Sequence, residues 1–290
     1  MNLNLFKTFI AVYETKNFSK AAELLAISQP AVFRNNKELE RQLEAKLFLS
    51  HTRGVEPTQD ADVLYPYIVS GLGTLEKGID VMTEAKSNIE RIKIGCPSNL
   101  SGHLLMQYFN EFRENNKNIE LDIHDSKDKH VDELSKHEID IAIDLYLPTE
   151  AVFKTVTLCE LPNTFFASKE FVNKNSLSTN IKKEQLCTLP MILYNTRRTV
   201  NSLFEKLQVK INPAYVVSTY EFMYQLVSGG YGIGYSHELL VDKNKEFEKL
   251  DLGGKLPDSI LRCAYHELHI TKTMRKFLNG LQEFCEQLNA

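Results

Sequence analysis

The stretch Asn17-Phe18-Ser19-Lys20-Ala21-Ala22-Glu23-Leu24-Leu25-Ala26-Ile27-Ser28-Gln29-Pro30-Ala31-Val32 decides how the chain begins to fold. Ser19 reads as the N-cap of a short helix, Lys20 to Leu25, because its side-chain oxygen can take an orphaned backbone N–H. Ala26-Ile27 then makes a tight turn. Ser28 opens a second helix with Pro30 in its first turn, where a missing N–H costs nothing. Upstream, Leu3, Phe6, Phe9, Ile10 and Tyr13 recur at helical spacing and predict one apolar face. Downstream, the second helix buries Val32, Leu39 and Leu43 and exposes Gln29, Phe33, Arg34 and Lys37. Two short helices joined by a turn form a helix-turn-helix. One reading lays the second helix in a DNA major groove. Ser28 and the helix start then meet a phosphate, Gln29 meets base edges, Arg34 and Lys37 meet bases or phosphates, and Phe33 meets a thymine methyl. The other reading is a plain helical subdomain with a solvated charged face.

The run Phe18 to Leu25, then Ile27-Ser28-Gln29-Pro30-Ala31-Val32, continues through Leu39-Glu40, Leu43, Leu47-Phe48, Arg53-Gly54 and Thr58. In this order and spacing it resembles the N-terminal domain of LysR-type transcriptional regulators, and the rest of the chain fits the family too. The resemblance implies a winged helix-turn-helix over residues 1–57, with the helix from Ser28 reading DNA and the Leu49–Pro57 hairpin lying over the backbone. Ser28, Gln29, Pro30, Phe33, Arg34, Lys37 and Arg53 are the DNA-binding candidates. The chain departs from the family at Phe33, where a small polar residue is usual, and at Asn35, commonly Gln. It departs again at Ser50, usually Arg, and at Asp62, usually Gly. The Ser50 change removes an expected phosphate contact, which His51 or Arg53 would have to replace.

From Thr58 a 3.5-residue repeat appears: Ala61, Ile68, Leu75, Met82 and Ile89 in one row, Tyr65, Leu72 and Ile79 in the other. This predicts a coiled-coil helix over 58–90, capped by Thr58 and weakened by Pro66, Gly71, Gly73 and Gly78. It reads as a homodimer seam rather than a helix packed on its own chain. The resemblance further implies a homotetramer.

Beyond Arg91 the pattern becomes α/β. Strands are expected at Ile92–Ile94, Ile119–Ile123 and Ile139–Leu145, with helices at Leu104–Phe112 and Val131–His137. A second set follows: strands Thr164–Ala167, Met191–Tyr194, Tyr215–Val217 and Gly232–Tyr235, with helices Val200–Leu207 and Tyr220–Val227. Strand Leu261–Tyr265 and helix Met274–Leu288 return to the first set. The prediction is a two-lobed α/β effector domain over 91–290, similar in architecture to periplasmic binding proteins. Lobe 1 takes about 91–160 and 264–290, lobe 2 about 161–263, with crossings near Glu160–Asn163 and Arg262–Ala264. Ligands in such sheets sit beyond the carboxyl ends of strands. Ser98, Asn99, Ser101, Tyr146, Asn195, Arg197, Thr219 and Ile233 are therefore the effector-binding candidates. Arg197 or Arg198 would suit a carboxylate, and the Pro97–Ser101 loop an anion. Gly229–Gly234 reads as turns rather than a dinucleotide loop. Ser236-His237 stands where the family often has Pro.

The chain has 290 residues, 43% apolar and 25% charged, with a net charge of -4, so DNA affinity must come from placed residues rather than bulk charge. Residues 1–57 hold eight Lys and Arg against six Glu, a net of +2, and residues 58–90 a net of -4. No apolar run approaches a membrane span and no signal peptide is evident. Five widely spaced cysteines fit a reducing cytoplasm better than a disulfide scaffold or zinc cluster. His266-Glu267-Leu268-His269 lacks zinc spacing, and no nucleophile–base arrangement stands out. The expectation is a cytoplasmic regulator, not an enzyme, with no cofactor or metal. Its expected partners are double-stranded promoter DNA, a small effector and itself, with RNA polymerase as a further candidate and no membrane. The alternatives are a cytoplasmic small-molecule-binding clamshell without specific DNA binding, and a thiol-based oxidant sensor using Cys96.

Overall fold

The computed structural model describes residues 2–51, 54–84, 89–125, 129–147, 153–194, 204, 207 and 213–288. They form two compact units, Met1–Glu90 with Val131–Ile139, and Arg91–His130 with Asp140–Ala290.

Unit one begins with α1 (Leu3–Thr15), α2 (Phe18–Leu24) and α3 (Gln29–Leu43). Asn17, not Ser19, caps α2. Its side-chain oxygen accepts from the Ser19 and Lys20 N–H groups at 2.9 and 3.2 Å, so the helix starts two residues before the expected position. Ala26 turns the chain with φ 53°. Ser28 occupies the N-cap of α3, but its hydroxyl makes no capping bond. The buried face of α1 is Leu5, Thr8, Phe9, Ala11 and Val12, while Leu3 is 48% exposed. The expected stripe was too narrow because α1 packs against three helices at once, α2 and α3 on one side and α4 on the other. Phe6, Ile10 and Tyr13 are half-buried at the edge of this core.

A hairpin follows, β1 (Phe48–His51) and β2 (Gly54–Pro57), with Leu49 opposite Glu56. Gly54 has φ 146°, and a Cβ there would come within 2.6 Å of the Lys16 carbonyl oxygen. That same carbonyl accepts the Val55 N–H at 3.0 Å, so glycine lets the hairpin dock on the end of α1.

α4 spans Gln59–Glu84 with Pro66 inside it. The Thr58 hydroxyl oxygen accepts the Ala61 N–H at 3.3 Å, as an N-cap should. The expected seam divides in two. Ala61 and Ile68 are buried, and Tyr65 and Leu72 half-buried, against the unit's own core. Tyr65 stacks on Tyr13 with ring centroids 4.0 Å apart. Their hydroxyls donate to Glu14 and Asp62 at 2.7 and 2.8 Å. Asp62, unusual for the family, thus locks α4 to α1. Leu75, Ile79 and Met82 remain 52%, 65% and 74% exposed.

Unit two carries a five-stranded sheet of order β4-β3-β5-β12-β6. It uses β3 (Glu90–Gly95), β4 (Ile119–His124), β5 (Ile141–Asp144), β6 (Lys154–Leu161) and β12 (Ser259–Tyr265). β3 and β5 are parallel; β12 runs antiparallel to β5 and β6. α5 (Ser98–Leu100), a π-helical turn at Ser101–Leu105 and α6 (Met106–Asn115) follow β3; α7 (His130–Ser135) precedes β5 in the chain but belongs, from Val131, to unit one. The second lobe has β7 (Asn163–Ser168), α8 (Lys169–Lys174), β8 (Met191–Tyr194), β9 (Pro213–Val217), α9 (Tyr220–Ser228), β10 (Gly234–His237), α10 (Glu238–Val241) and β11 (Phe247–Leu250). Its strands form the antiparallel sheet β10-β7-β11 and the parallel pair β8-β9. α11 (Lys272–Leu288) closes the first lobe, packing Phe277 and Leu281 against Tyr108 and Phe112.

Of the helix expected at Val200–Leu207, only Phe204 and Leu207 are described, both helical. The first crossing falls at Pro162, as expected. The return crossing lies earlier than Arg262–Ala264, because β12 has already joined the first sheet at Ser259. Asn163 staples the two crossings by donating to the Pro257 carbonyl at 2.8 Å and the Ser259 hydroxyl at 3.0 Å. Ser259–Cys263 therefore belong with the first lobe. β6 and β11 were not foreseen.

Candidate functional site

In unit one, Val32 and Leu39 are fully buried, and they hold the opposite face of α3 outward. Gln29, Pro30, Phe33, Arg34 and Lys37 all lie on that exposed face. Arg34 forms no ion pair with another described residue, so its guanidinium is available. Lys37 is committed within the helix: its ammonium lies 2.7 Å from Glu40 Oε2 and 5.6 Å over the Phe33 ring. Phe33 is 44% exposed, yet its ring meets Phe18 edge-on at 5.6 Å. It is thus a wall between α2 and α3 as much as a probe. Asn35 does not face outward. It donates to the Thr8 hydroxyl at 3.1 Å and ties α3 to α1.

The residue that sequence reasoning missed is Glu40. Its side chain is 10% exposed. Oε1 accepts the Leu47 and Phe48 N–H groups at 2.9 and 3.2 Å, pinning β1 to α3. Burial alone would raise its pKa; the hydrogen bonds from Lys37, Leu47 and Phe48 outweigh burial and hold it below the ordinary value. His51, offered as a replacement phosphate contact, lies 3.4 Å from Glu56 across the hairpin. Arg53 lies outside the described residues.

In unit two the described effector candidates take different local roles. Ser98 is exposed at the start of α5, and Asn99 is buried. Ser101 bonds back to the Ser98 carbonyl at 3.5 Å. Thr219 caps α9, accepting the Phe222 N–H at 3.2 Å. Ile233 is a core residue with no exposed surface, and its backbone stitches β10 to β8 through Ile192 and Pro190. Asn195, Arg197 and Arg198 lie outside the described residues. Among the described candidates, Tyr146 lines a cavity between the lobes.

That cavity is lined by Asn163, at the crossing, and by Tyr146, Tyr194, Tyr220 and Tyr235. Tyr194 and Tyr220 stack 4.2 Å apart. Ser236 and His237 also line it. The Ser236 hydroxyl is taken by Tyr224 at 2.6 Å. His237 is 3% exposed, and neither ring nitrogen has a hydrogen-bond partner. Burial pushes its pKa down to about 4, so the ring is neutral at physiological pH. The open volume is about 20 Å³, room for about one water.

Cys96 is fully buried. Burial first, then the Asp144 and Asp125 carboxylates, push its pKa well above the ordinary thiol value, which opposes a reactive thiolate. No group of three or more His, Cys, Asp or Glu able to hold a metal occurs among the described residues.

The chain thus joins a winged helix-turn-helix head to a two-lobed α/β unit. The comparisons agree. Residues 3–62 match the bacterial regulatory helix-turn-helix protein, lysR family, and residues 85–286 match the LysR substrate binding domain. The chain belongs to the LysR family. It is 28% identical over 184 residues to the HTH-type transcriptional regulator AbaB of Streptomyces antibioticus, covering 62% of this chain and 60% of that one. Across the first five relatives the match spans between 41% and 60% of their length. The fold is that of CrgA, a LysR-type transcriptional regulator from Neisseria meningitidis (TM-score 0.59, 20% identity, 100% of both chains). It is also that of full-length CbnR complexed with its target DNA (TM-score 0.57, 17% identity, 98% of this chain and 100% of that one).

Proposed function

We propose that the chain is a DNA-binding transcriptional regulator of the cytoplasm that answers to a small effector and carries out no enzymatic step. The observation that carries this is the exposed face of α3, with Gln29 and Arg34 held outward by Val32 and Leu39. α3 enters the major groove with Ser28 and Pro30 at its leading end, and Arg34 supplies the mobile cation. Lys37 and Phe33 contribute after partial release from Glu40 and Phe18. Arg53 is a further candidate for a backbone contact.

Self-association runs through the exposed half of α4, where Leu75, Ile79 and Met82 stay uncovered. Paired heads then read a pseudo-palindrome, and pairs of dimers make the tetramer. The effector acts from the interlobe cleft by favouring one arrangement of lobes or subunits, because a ligand with equal affinity for both shifts nothing. RNA polymerase is the partner through which such a shift would reach transcription. Among the described residues, no helix is long and apolar enough to cross a membrane.

The test is promoter binding by Arg34→Ala and Gln29→Ala variants. Weakened binding by about 1–3 kcal/mol each, with fold and oligomer intact, is expected. Unchanged affinity in either variant removes that residue from the reading face. Complete absence of salt-sensitive DNA binding in the wild type would favour the small-molecule-binding clamshell instead.

A further inference from the structure

The segment Val131–Ile139 belongs to unit one, with the reading head and α4, although its chain neighbours His130 and Asp140 belong to unit two. It holds the body of α7 and the turn that ends it. Unit two takes the chain back at once. The Asp140 N–H donates to the Lys93 carbonyl at 2.8 Å, and the Asp140 carboxylate accepts the Lys93 N–H at 2.9 Å. A strap that leaves one unit, joins the other and returns ties the two through the chain itself.

Three features make its seat in unit one a fitted one. The first is Gly73. Glycine inside a helix weakens it, and α4 carries Gly71, Gly73 and Gly78. A Cβ at Gly71 or Gly78 would meet nothing within 4 Å among the described residues. A Cβ at Gly73 would fall 2.2 Å from His137 Cδ2 and 3.2 Å from the Lys136 carbonyl oxygen. Only glycine allows so close an approach there. The second is His137. Its φ of 55° is uncommon outside glycine, and its Nε2 lies 3.1 Å from the Ser70 carbonyl oxygen. A carbonyl only accepts, so this ring nitrogen donates to α4. The third is Glu14 of α1. Its Oε1 lies 2.6 Å from Lys136 Nζ and accepts the Tyr65 hydroxyl at 2.7 Å, so one carboxylate gathers α1, α4 and the strap.

The seat is also weak enough to open. The Lys136 and Glu14 side chains are 37% and 32% exposed, so water competes for the pair. A groove of about 400 Å³, lined by Ile10, Leu24, Leu25 and Leu72 as well as by Lys136 and Glu138, stays open beside it. At the other end, β5 alone separates Asp140 from Leu145 and Tyr146, which line the interlobe cavity. A ligand that shifts the end of β5 pulls on the residue that anchors the strap.

We propose that Val131–Ile139 is a releasable strap through which unit two acts on the reading head. Docked on Gly73, Ser70 and Glu14, it fixes α4 to α1 in one arrangement; released, it lets them take another. The inference rests on the reading of unit one as a DNA-binding head and names the element that regulates it. Coupling is reciprocal: if docking alters DNA affinity, DNA alters docking by the same factor.

The test uses the full chain and a duplex that it selects from a random-sequence pool at low salt. Docking is read by hydrogen–deuterium exchange of the peptide spanning 131–139. The amides of Lys136, His137 and Glu138 bond to the Asp132, Leu134 and Glu133 carbonyls in the docked turn, and release loosens them. Gly73→Ala is expected to speed this exchange about tenfold, and Gly71→Ala to leave it as in the wild type. Lys136→Met, which removes the ion pair and leaves α4 untouched, is expected to speed it about threefold. Saturating duplex is expected to change the exchange about threefold or more in the wild type and not in Gly73→Ala. If Gly73→Ala does not fold, Lys136→Met takes its place. Wild-type exchange in the folded variant overturns the docking. Exchange that a bound duplex leaves unchanged overturns the strap's role while DNA binding stands. If no duplex is selected, the DNA-binding reading fails and the proposal fails with it.

Discussion

Glu40→Ala tests the claim that one buried carboxylate builds the joint between the reading helix and the wing. In the wild type Oε1 accepts two backbone N–H groups, from Leu47 and Phe48, at 2.9 and 3.2 Å. Those residues are 1% and 6% exposed, so water cannot easily replace the lost acceptor. Each orphaned donor costs roughly 1–3 kcal/mol. The Lys37 contact adds little, because the ammonium side is half exposed and such pairs are worth about 0–1 kcal/mol. The expected destabilisation of unit one is therefore about 3 kcal/mol. Glu40→Gln keeps an acceptor oxygen and should cost about 1 kcal/mol, the charge-assisted part alone. The direction of the Glu40 shift fixes the pH dependence. Its folded pKa lies below the ordinary carboxylate value. Its contribution is thus fully present above the unfolded value of about 4.3 and fades as pH falls through the folded one. The assay is urea unfolding of the full chain, with hydrogen exchange at the Leu47 and Phe48 amides to localise the loss. An Ala variant within about 0.5 kcal/mol of wild type, with both amides still protected, would refute the reasoning.

His237 gives a pH signature of opposite chemical origin. Its folded pKa is about 4 against 6.5 in the unfolded chain, so stability should fall by about 3 kcal/mol as pH drops through that window. His237→Leu should flatten this decline, as measured by denaturation at stepped pH. Ala26→Gly should stabilise unit one by about 0.5–1 kcal/mol, because the turn holds φ at 53°, which glycine adopts without a Cβ penalty. A lower melting temperature would contradict it. Ile79→Glu should shift the chain to a smaller oligomer in sedimentation while leaving each unit folded, since Ile79 is 65% exposed in the proposed seam. An unchanged sedimentation coefficient would remove α4 as the interface.

Much of the architecture was legible because it rests on local periodicity and punctuation. Strand Met191–Tyr194 and helix Tyr220–Val227 follow from runs of apolar residues between turn signals. Failures arose where tertiary packing overrode the local pattern. α1 buries a surface wider than one stripe because three helices surround it. Asn17 competes with Ser19 for the same orphaned N–H groups and, being earlier, takes them. The α4 repeat serves two purposes, and no spacing rule divides Tyr65, which stacks on Tyr13, from Met82, which does not pack. At the sites, exposure on α3 was readable from the buried face opposite. The role of Glu40 was not, because its partners are backbone groups seven and eight residues away. His237 was visible as a departure from the family. Its burial in the cavity lining required the crossing between lobes to be placed.

The most direct test of the account is a sequenced pull-down of the full chain on fragments of its own genomic DNA across a salt series, with Arg34→Ala alongside. The account predicts enriched pseudo-palindromic sites whose occupancy falls steeply with salt and drops for Arg34→Ala. No enrichment at low salt, or equal enrichment by the variant, would contradict it.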